Sequence, residues 1–95
     1  MKTSYLKKKL IVTYNFKKDL KKLPVNVVNL TYEAALKLCI DPYNEELDIK
    51  KLTGFKNIYR VVIKKDYRLI YTFDEQKIFL LQISHRKDIY RSLEF

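Results

Sequence analysis

The chain has four arginines, Arg60, Arg68, Arg86 and Arg91, and one histidine, His85, all in its second half. Four of these and Tyr90 fall close together in the stretch 59–90, YRVVIKKDYRLIYTFDEQKIFLLQISHRKDIY. A guanidinium presents a planar fork that suits a phosphate better than lysine's point charge does. An imidazole can take up or give back a proton near neutral pH. A phenol ring can stack on a base or orient a nucleotide. Brought together, Arg60, Arg68, His85, Arg86 and Tyr90 could neutralise and cleave an RNA phosphodiester.

Three strands must position them. Residues 58–63, 67–73 and 78–83 are rich in β-branched and aromatic side chains, the composition of strands. The polar breaks between them, Lys64-Lys65-Asp66 and Asp74-Glu75-Gln76-Lys77, have hairpin spacing. Pivoting the first hairpin on Lys64 sets Arg60 opposite Arg68. Making Glu75-Gln76 a two-residue loop sets Arg68 opposite Ile83 and Asp66 opposite His85. His85 then becomes a diagonal neighbour of Arg68 on one sheet face. A one-residue slip would undo the arrangement. Two opposed arginines imply a bound anion or an acidic partner; a solvated surface pair is the other reading.

With 95 residues and 47% hydrophobic content, the sequence supports one domain, 1–95, with one core. Lysine and arginine number 20 against 11 acids, a net charge of +9, which fits a polyanionic partner. Residues 1–40 hold nine lysines and two acids, whereas residues 41–95 hold eleven basic residues and nine acids. Lysine therefore dominates the scaffold and arginine is kept for the strands. The lone cysteine, Cys39, permits no intrachain disulfide, fits a reducing cytoplasm and reads as a small buried apolar residue. No signal-peptide core or membrane-length run is present. One His, one Cys and scattered acids form no metal constellation, and no glycine-rich phosphate loop exists. No metal and no cofactor is expected.

Ahead of these strands, residues 10–14 read as a first strand and Asn15 as an N-cap. Phe16, Leu20 and Leu23 then form one face of a short helix, with Lys17, Lys18, Lys21 and Lys22 opposite. That lysine face is either an RNA-binding stripe or a solvated surface. Pro24 separates it from a second helix over 25–39, with Val28, Tyr32, Ala35, Leu36 and Cys39 on one face. Asp41-Pro42 stops this helix. Residues 43–51 read as a connector, and Gly54, the only glycine, as a position needing positive φ. Lys50, Lys51 and Lys64, flanking the strands, complete the candidate RNA contacts. The order is β-α-α-β-β-β plus a short C-terminal segment. The class is α+β, with a helical hairpin on a small antiparallel sheet. The helix-facing side would carry Tyr59, Val61, Ile63, Tyr67, Leu69, Tyr71, Phe73, Ile78 and Leu80. The other side would carry Arg60, Arg68 and His85 with Ile70, Leu81 and Ile83.

The layout of NFKKDLKKLP, a helix ending at DP, then LTG, IYRVVI, DYRLIYTFD and SHRKDIY resembles the RelE/ParE superfamily of type II toxin–antitoxin toxins. The resemblance runs from about Leu10 to Arg91. It implies either a metal-free endoribonuclease that cuts mRNA in the ribosomal A site, as in the RelE branch, or a DNA gyrase poison, as in the ParE branch. Arg60 falls where RelE-type enzymes have a basic strand residue, and Val62 where some have a second. Arg68 matches the strand arginine, His85-Arg86 the basic pair closing the last strand, and Tyr90 the C-terminal tyrosine. Glu46, six residues before Leu52, matches by spacing a general base of one subgroup. Lys65 stands where a glycine is usual. The expected function is ribosome-dependent mRNA cleavage by 2′-OH attack. His85 would act as base because three neighbouring arginines disfavour its charged form. The expected partners are the ribosome, mRNA and a cognate acidic antitoxin, in the cytoplasm and with no membrane. The alternatives are a gyrase inhibitor or an inactive relative that binds RNA or antitoxin.

Overall fold

A computed structural model describes residues 7–91 and Leu93. Strand β1 (Lys9–Val12) leads into helices α1 (Tyr14–Leu20) and α2 (Val25–Ile40). Strands β2 (Ile49–Lys51), β3 (Tyr59–Ile63), β4 (Tyr67–Phe73) and β5 (Lys77–His85) follow, then a 3-10 turn over Ile89–Arg91. The sheet order is β1-β5-β4-β3-β2. The α+β architecture is the expected one, with both helices packed on one sheet face. The sheet is larger by β2, which lies inside the expected connector, and β1 pairs parallel with β5.

Local chemistry explains the helices. The cap of α1 is Thr13, not Asn15: its Oγ1 accepts from Phe16 N–H at 3.4 Å and donates to the Leu80 carbonyl at 2.8 Å. One hydroxyl thus starts the helix and ties it to β5. β1 stops at Val12, and beyond that point Asp19 Oδ2 accepts the Ile83 N–H at 3.0 Å. A helix side chain replaces the missing strand partner there. The face α2 buries is Val27, Thr31, Ala34, Ala35, Leu38 and Cys39. The expected stripe holds for Ala35 and Cys39, with Tyr32 packed against the core and Val28 half-buried, but Leu36 is 50% exposed. Adjacent Ala34 and Ala35 let the backbone approach the sheet, so the buried face turns onto the small residues.

Tyr59, Val61, Ile63, Leu69, Tyr71, Ile78 and Leu80 meet the helices in the main core, with Tyr67 and Phe73 packed at its margin. This is the expected inward set. Tyr71 is fully buried, and its Oη donates to the Pro42 carbonyl at 2.8 Å. Ile83 also joins this core, which corrects its expected place beside the arginines. A small second cluster, Ile58, Ile70 and Ile89, lies on the outer face with Leu52, Leu81 and Leu93.

The register differs from expectation in two places. Lys64 and Lys65 both take positive φ, 46° and 66°, so the first hairpin pivots one residue later. Val62 lies opposite Arg68, and Arg60 opposite Ile70. The partner moves by two positions, so Arg60 and Arg68 keep their common face. In the second hairpin Asp74 N–H donates to the Lys77 carbonyl, and Phe73 pairs with Ile78 and Tyr71 with Leu80, as expected. A bulge between Ile70 and Tyr71 then leaves Leu81 without an opposite residue, so Ile70 pairs with Gln82, Leu69 with Ile83, Arg68 with Ser84 and Tyr67 with His85. One extra residue reverses every later side chain of the bulged strand. Gly54 has φ 87°, as its position required.

Candidate RNA-binding face

Because side chains alternate along a strand, the outer face collects Lys50 from β2, Arg60 and Val62 from β3, Arg68 and Ile70 from β4 and Ser84 from β5. Arg60 and Arg68 are diagonal neighbours, a separation of roughly 7–8 Å. Their expected direct opposition is wrong because of the turn at Lys64-Lys65. The diagonal offset eases their repulsion, and so does an acid. Arg60 NH1 donates to both the Asp48 carbonyl, at 3.2 Å, and Asp48 Oδ1, at 3.3 Å. The arginine side chain is 15% exposed and the aspartate 70%. Such a pair, open to water on the acid's side, contributes under about 1 kcal/mol and chiefly orients the guanidinium.

Arg68 curls over the first hairpin turn. Its NH1 donates to the Lys65 carbonyl at 2.8 Å and the Tyr67 carbonyl at 3.0 Å. Arg86 approaches the same turn: its N–H donates to the Asp66 carbonyl at 2.7 Å, and its Nε lies 3.8 Å from Asp66 Oδ1. His85 sits opposite Tyr67 and meets that ring edge-on at 5.5 Å. Its Nδ1 accepts the Lys87 N–H at 3.2 Å, so Nε2 of the neutral ring carries the hydrogen. Arg68, His85 and Arg86 therefore converge on residues 65–67 at one end of the sheet. His85, however, projects to the helix side, away from Arg60 and Arg68. The expected single-face grouping fails because of the Leu81 bulge, and so does the reasoning that three arginines crowd the imidazole.

At the β2 side of the outer face, Arg60 lines an open groove of about 320 Å³ with Lys50, Lys51, Phe55 and Tyr90. Tyr90 is 52% exposed and stands on the 3-10 turn anchored by buried Ile89. Phe55, 40% exposed, was missed in the sequence. The signal available was a bulky apolar residue directly after the turn-forming Thr53-Gly54. Glu46 does not join either group. Its Oε1 lies 3.4 Å from Lys37 Nζ of α2, and Asp48, two residues later, is the carboxylate that meets Arg60.

Lys17, Lys18, Lys21 and Lys22 are exposed along α1 and the turn after it, with Lys18 Nζ 5.5 Å from the Tyr14 ring centre. Lys18 and Lys22 share a groove of about 440 Å³ with Ser84, the cross-strand partner of Arg68, and with the carboxylates Asp19 and Asp88. The lysine face therefore extends toward the sheet end. Lys64 is exposed in the first hairpin turn. Burial pushes the Cys39 thiol up, partly offset by Lys7, which leaves it an inert core residue. Among the described residues no group of three His, Cys, Asp or Glu side chains is placed to hold a metal, and no helix is long and apolar enough to cross a membrane.

Comparison with known proteins fits this geometry. The family profile described as ParE toxin of type II toxin–antitoxin system, parDE, matches residues 10–90. A search of curated proteins returns no match. Among solved structures, the RelB-RelE antitoxin–toxin complex of Methanococcus jannaschii is 29% identical. The match covers 85% of this chain and 95% of that one, with a TM-score of 0.70. The RelE-RelB complex of Pyrococcus horikoshii is 26% identical over 85% and 97% of the two chains, TM-score 0.71. The E. coli toxin RelE, at 20% identity, shares the fold over 90% of both chains, TM-score 0.72. The profile match, the five-strand mixed sheet under two helices and these neighbours place the chain in the RelE/ParE superfamily, as a toxin of a type II toxin–antitoxin system.

Proposed function

We propose that the protein is a ribosome-dependent endoribonuclease that cuts mRNA without a metal. The observation that carries this reading is the placement of the cations. Arg60 and Lys50 lie along the outer face, and Arg68, Arg86 and His85 meet at its end. A single strand of RNA laid across the face would pass from the Tyr90 groove to the sheet end. The scissile phosphate would lie at residues 65–67. The 2′-oxygen attacks phosphorus and the bond to the 5′-oxygen breaks, giving a cyclic phosphate and a 5′-hydroxyl. Arg68 and Arg86 neutralise the transition-state charge, and Arg60 holds the neighbouring phosphate. His85 takes the 2′-OH proton once its ring releases the Lys87 N–H, and solvent protonates the 5′-oxygen. Glu46, paired with Lys37 away from the phosphate path, has no role in this scheme. Lys17, Lys18, Lys21, Lys22, Lys51 and Lys64 add long-range attraction to the ribosome's phosphates. The cognate antitoxin is an acidic protein whose amphipathic segment covers the cationic face.

A second reading has its own support. The matching profile is that of a ParE toxin, and the resting His85 has its Nδ1 lone pair engaged. Both fit a protein that inhibits DNA gyrase by binding and cleaves nothing. Primer extension on an mRNA, with and without ribosomes, separates the two. Cuts that depend on ribosomes and follow codon positions support the nuclease. Loss of gyrase supercoiling with intact mRNA supports the inhibitor.

A further inference from the structure

The outward side of α2 differs from the rest of the chain in charge. Its 16 residues include one acid, Glu33, and one base, Lys37, in a chain of net charge +9. Both are exposed. Between and beside them stand Leu30, Leu36 and Ile40, which are 38%, 50% and 56% exposed. Packing on the sheet does not require apolar residues on this side. A contiguous apolar patch at a surface marks a site of association. A shallow groove of about 160 Å³ lies next to it, between α2 and the end of β3. Leu30, Ala34, Leu47, Val62 and Ile63 give the groove an apolar wall, and Lys64 joins Glu33 and Lys37 in lining it.

The pattern on this side is complementary to itself. Leu30, Glu33, Lys37 and Ile40 follow one another at the three- and four-residue steps that keep side chains on one helix face. Lay a second α2 antiparallel on the first, with Leu30 on Ile40. The same register sets Glu33 on Lys37, and two-fold symmetry repeats both contacts. A parallel pair would set Glu33 on Glu33 and Lys37 on Lys37. The axis falls at the level of Ala35, so the two exposed Leu36 side chains meet across it. Ile40 of the second copy comes to lie over Leu30, at the wall of the groove. Lys37 Nζ is 3.4 Å from Glu46 Oε1 in an ion pair open to water, so sharing that ammonium with a second carboxylate costs little. Burial of the leucines and isoleucines supplies the attraction, and the ion pairs fix the orientation. One helix face per copy is less than a permanent dimer needs, so the dimer forms and separates with concentration.

We propose that the outward side of α2 docks a second copy of this chain, antiparallel about a two-fold axis, with Glu33 of each copy on Lys37 of the other. An acidic segment of another protein fits this side less well, because the seam carries no excess of positive charge for it to meet. Both helices pack on one side of the sheet, so the cationic outer face of each copy points away from the axis and stays open. The dimer therefore stands independently of whether that face cleaves RNA.

The test is sedimentation velocity of the whole chain over a wide range of concentration, where a monomer–dimer equilibrium is expected. Glu33→Lys and Lys37→Glu, each alone, should weaken dimerisation about tenfold or more, because each variant opposes like charges at two symmetric contacts. Mixing the two variants should restore a dimer with one chain of each kind, since every contact then joins opposite charges. The double variant, Glu33→Lys with Lys37→Glu, should pair with itself as the wild type does. Leu36→Ser should weaken the dimer without changing any charge. The substituted side chains are exposed, and thermal unfolding checks that each variant folds. A wild-type chain that stays monomeric at every concentration would overturn the proposal. So would a dimer indifferent to either charge reversal, or single variants that do not pair when mixed. A monomeric chain whose binding to its antitoxin is lost in Leu36→Ser would also overturn it and give this side of α2 to the antitoxin.

Discussion

Replacing Arg68 with alanine removes one guanidinium from the sheet end and little else. Of its five N–H donors, those on NH1 are engaged by the Lys65 and Tyr67 carbonyls, and the remaining donors can face a phosphate. The two carbonyls released lie near the surface, where water replaces the arginine, so folding should lose about 1 kcal/mol or less. Catalysis should lose much more. One well-aimed donor to transition-state charge contributes about 3–4 kcal/mol, so the rate should drop ~100-fold or more. Arg68→Lys should fall between, because a point charge keeps the attraction and loses the fork. Arg60→Ala should cost less, about tenfold, since in the proposed path Arg60 holds the neighbouring phosphate and part of its donor set is already on Asp48. The assay is single-turnover cleavage of ribosome-bound mRNA at saturating protein, with affinity measured apart. Only contacts stronger in the transition state than in the ground state change that rate. A saturated Arg68→Ala protein that cuts at the wild-type rate would refute the catalytic assignment of this sheet end and advance the gyrase reading.

Replacing Lys17, Lys18, Lys21 and Lys22 together should weaken ribosome binding and flatten its salt dependence, with the bound-state cleavage rate little changed; binding measured at two salt concentrations checks this. Lys65→Gly should stabilise the fold by up to about 1 kcal/mol in denaturant titration, because the left-handed conformation at φ 66° costs an L-residue roughly 1–2 kcal/mol, part of which glycine gives back as chain entropy. The Asp74 carboxyl accepts backbone N–H bonds from Gln76 and Lys77, which hold it below the usual aspartate range. Its contribution to the second hairpin should therefore be complete above the ordinary aspartate pKa and fade as pH falls through the lower folded value. NMR titration of Asp74, with Asp74→Asn as the control lacking that acid limb, reads it directly.

The inward side of the sheet was legible because a period-two pattern of large apolar residues can bury only one way. Tyr59, Val61 and Ile63 on β3 and Leu69 and Tyr71 on β4 announce their face without regard to register. The β2 strand was not legible. Ile49–Lys51 is three residues long and mostly charged, and it forms because β3 offers an edge, not because its own sequence prefers extension. The turn at Lys64-Lys65 was hidden for a related reason. Lysine carries no signal for positive φ, so the pivot is set by the strands on either side. Asp48 was overlooked in favour of Glu46 because spacing along a connector does not show which carboxylate the chain brings back to Arg60.

The bulge at Leu81 decides more of the site than any single cation does. With unbroken pairing, His85 would join Arg68 on the outer face and Ile83 would be left in water. The bulge instead lets Leu80 and Ile83 both reach the main core while Leu81 packs with the outer cluster. Burying Ile83 is worth about 1.5–3 kcal/mol, more than the few tenths to 1 kcal/mol of a surface cross-strand pair involving histidine. The same reversal sets Ser84 beside Arg68 and sends His85 to Tyr67. Core packing thus fixes the distribution of polar groups at the sheet end. Arg68 and Arg86 reach residues 65–67 from the outer side and the loop, and the imidazole reaches them from the helix side. A phosphate held there would be gripped from two sides of the sheet's end instead of lying flat on one face. That geometry leaves one side of the phosphate for charge neutralisation and the other for proton transfer.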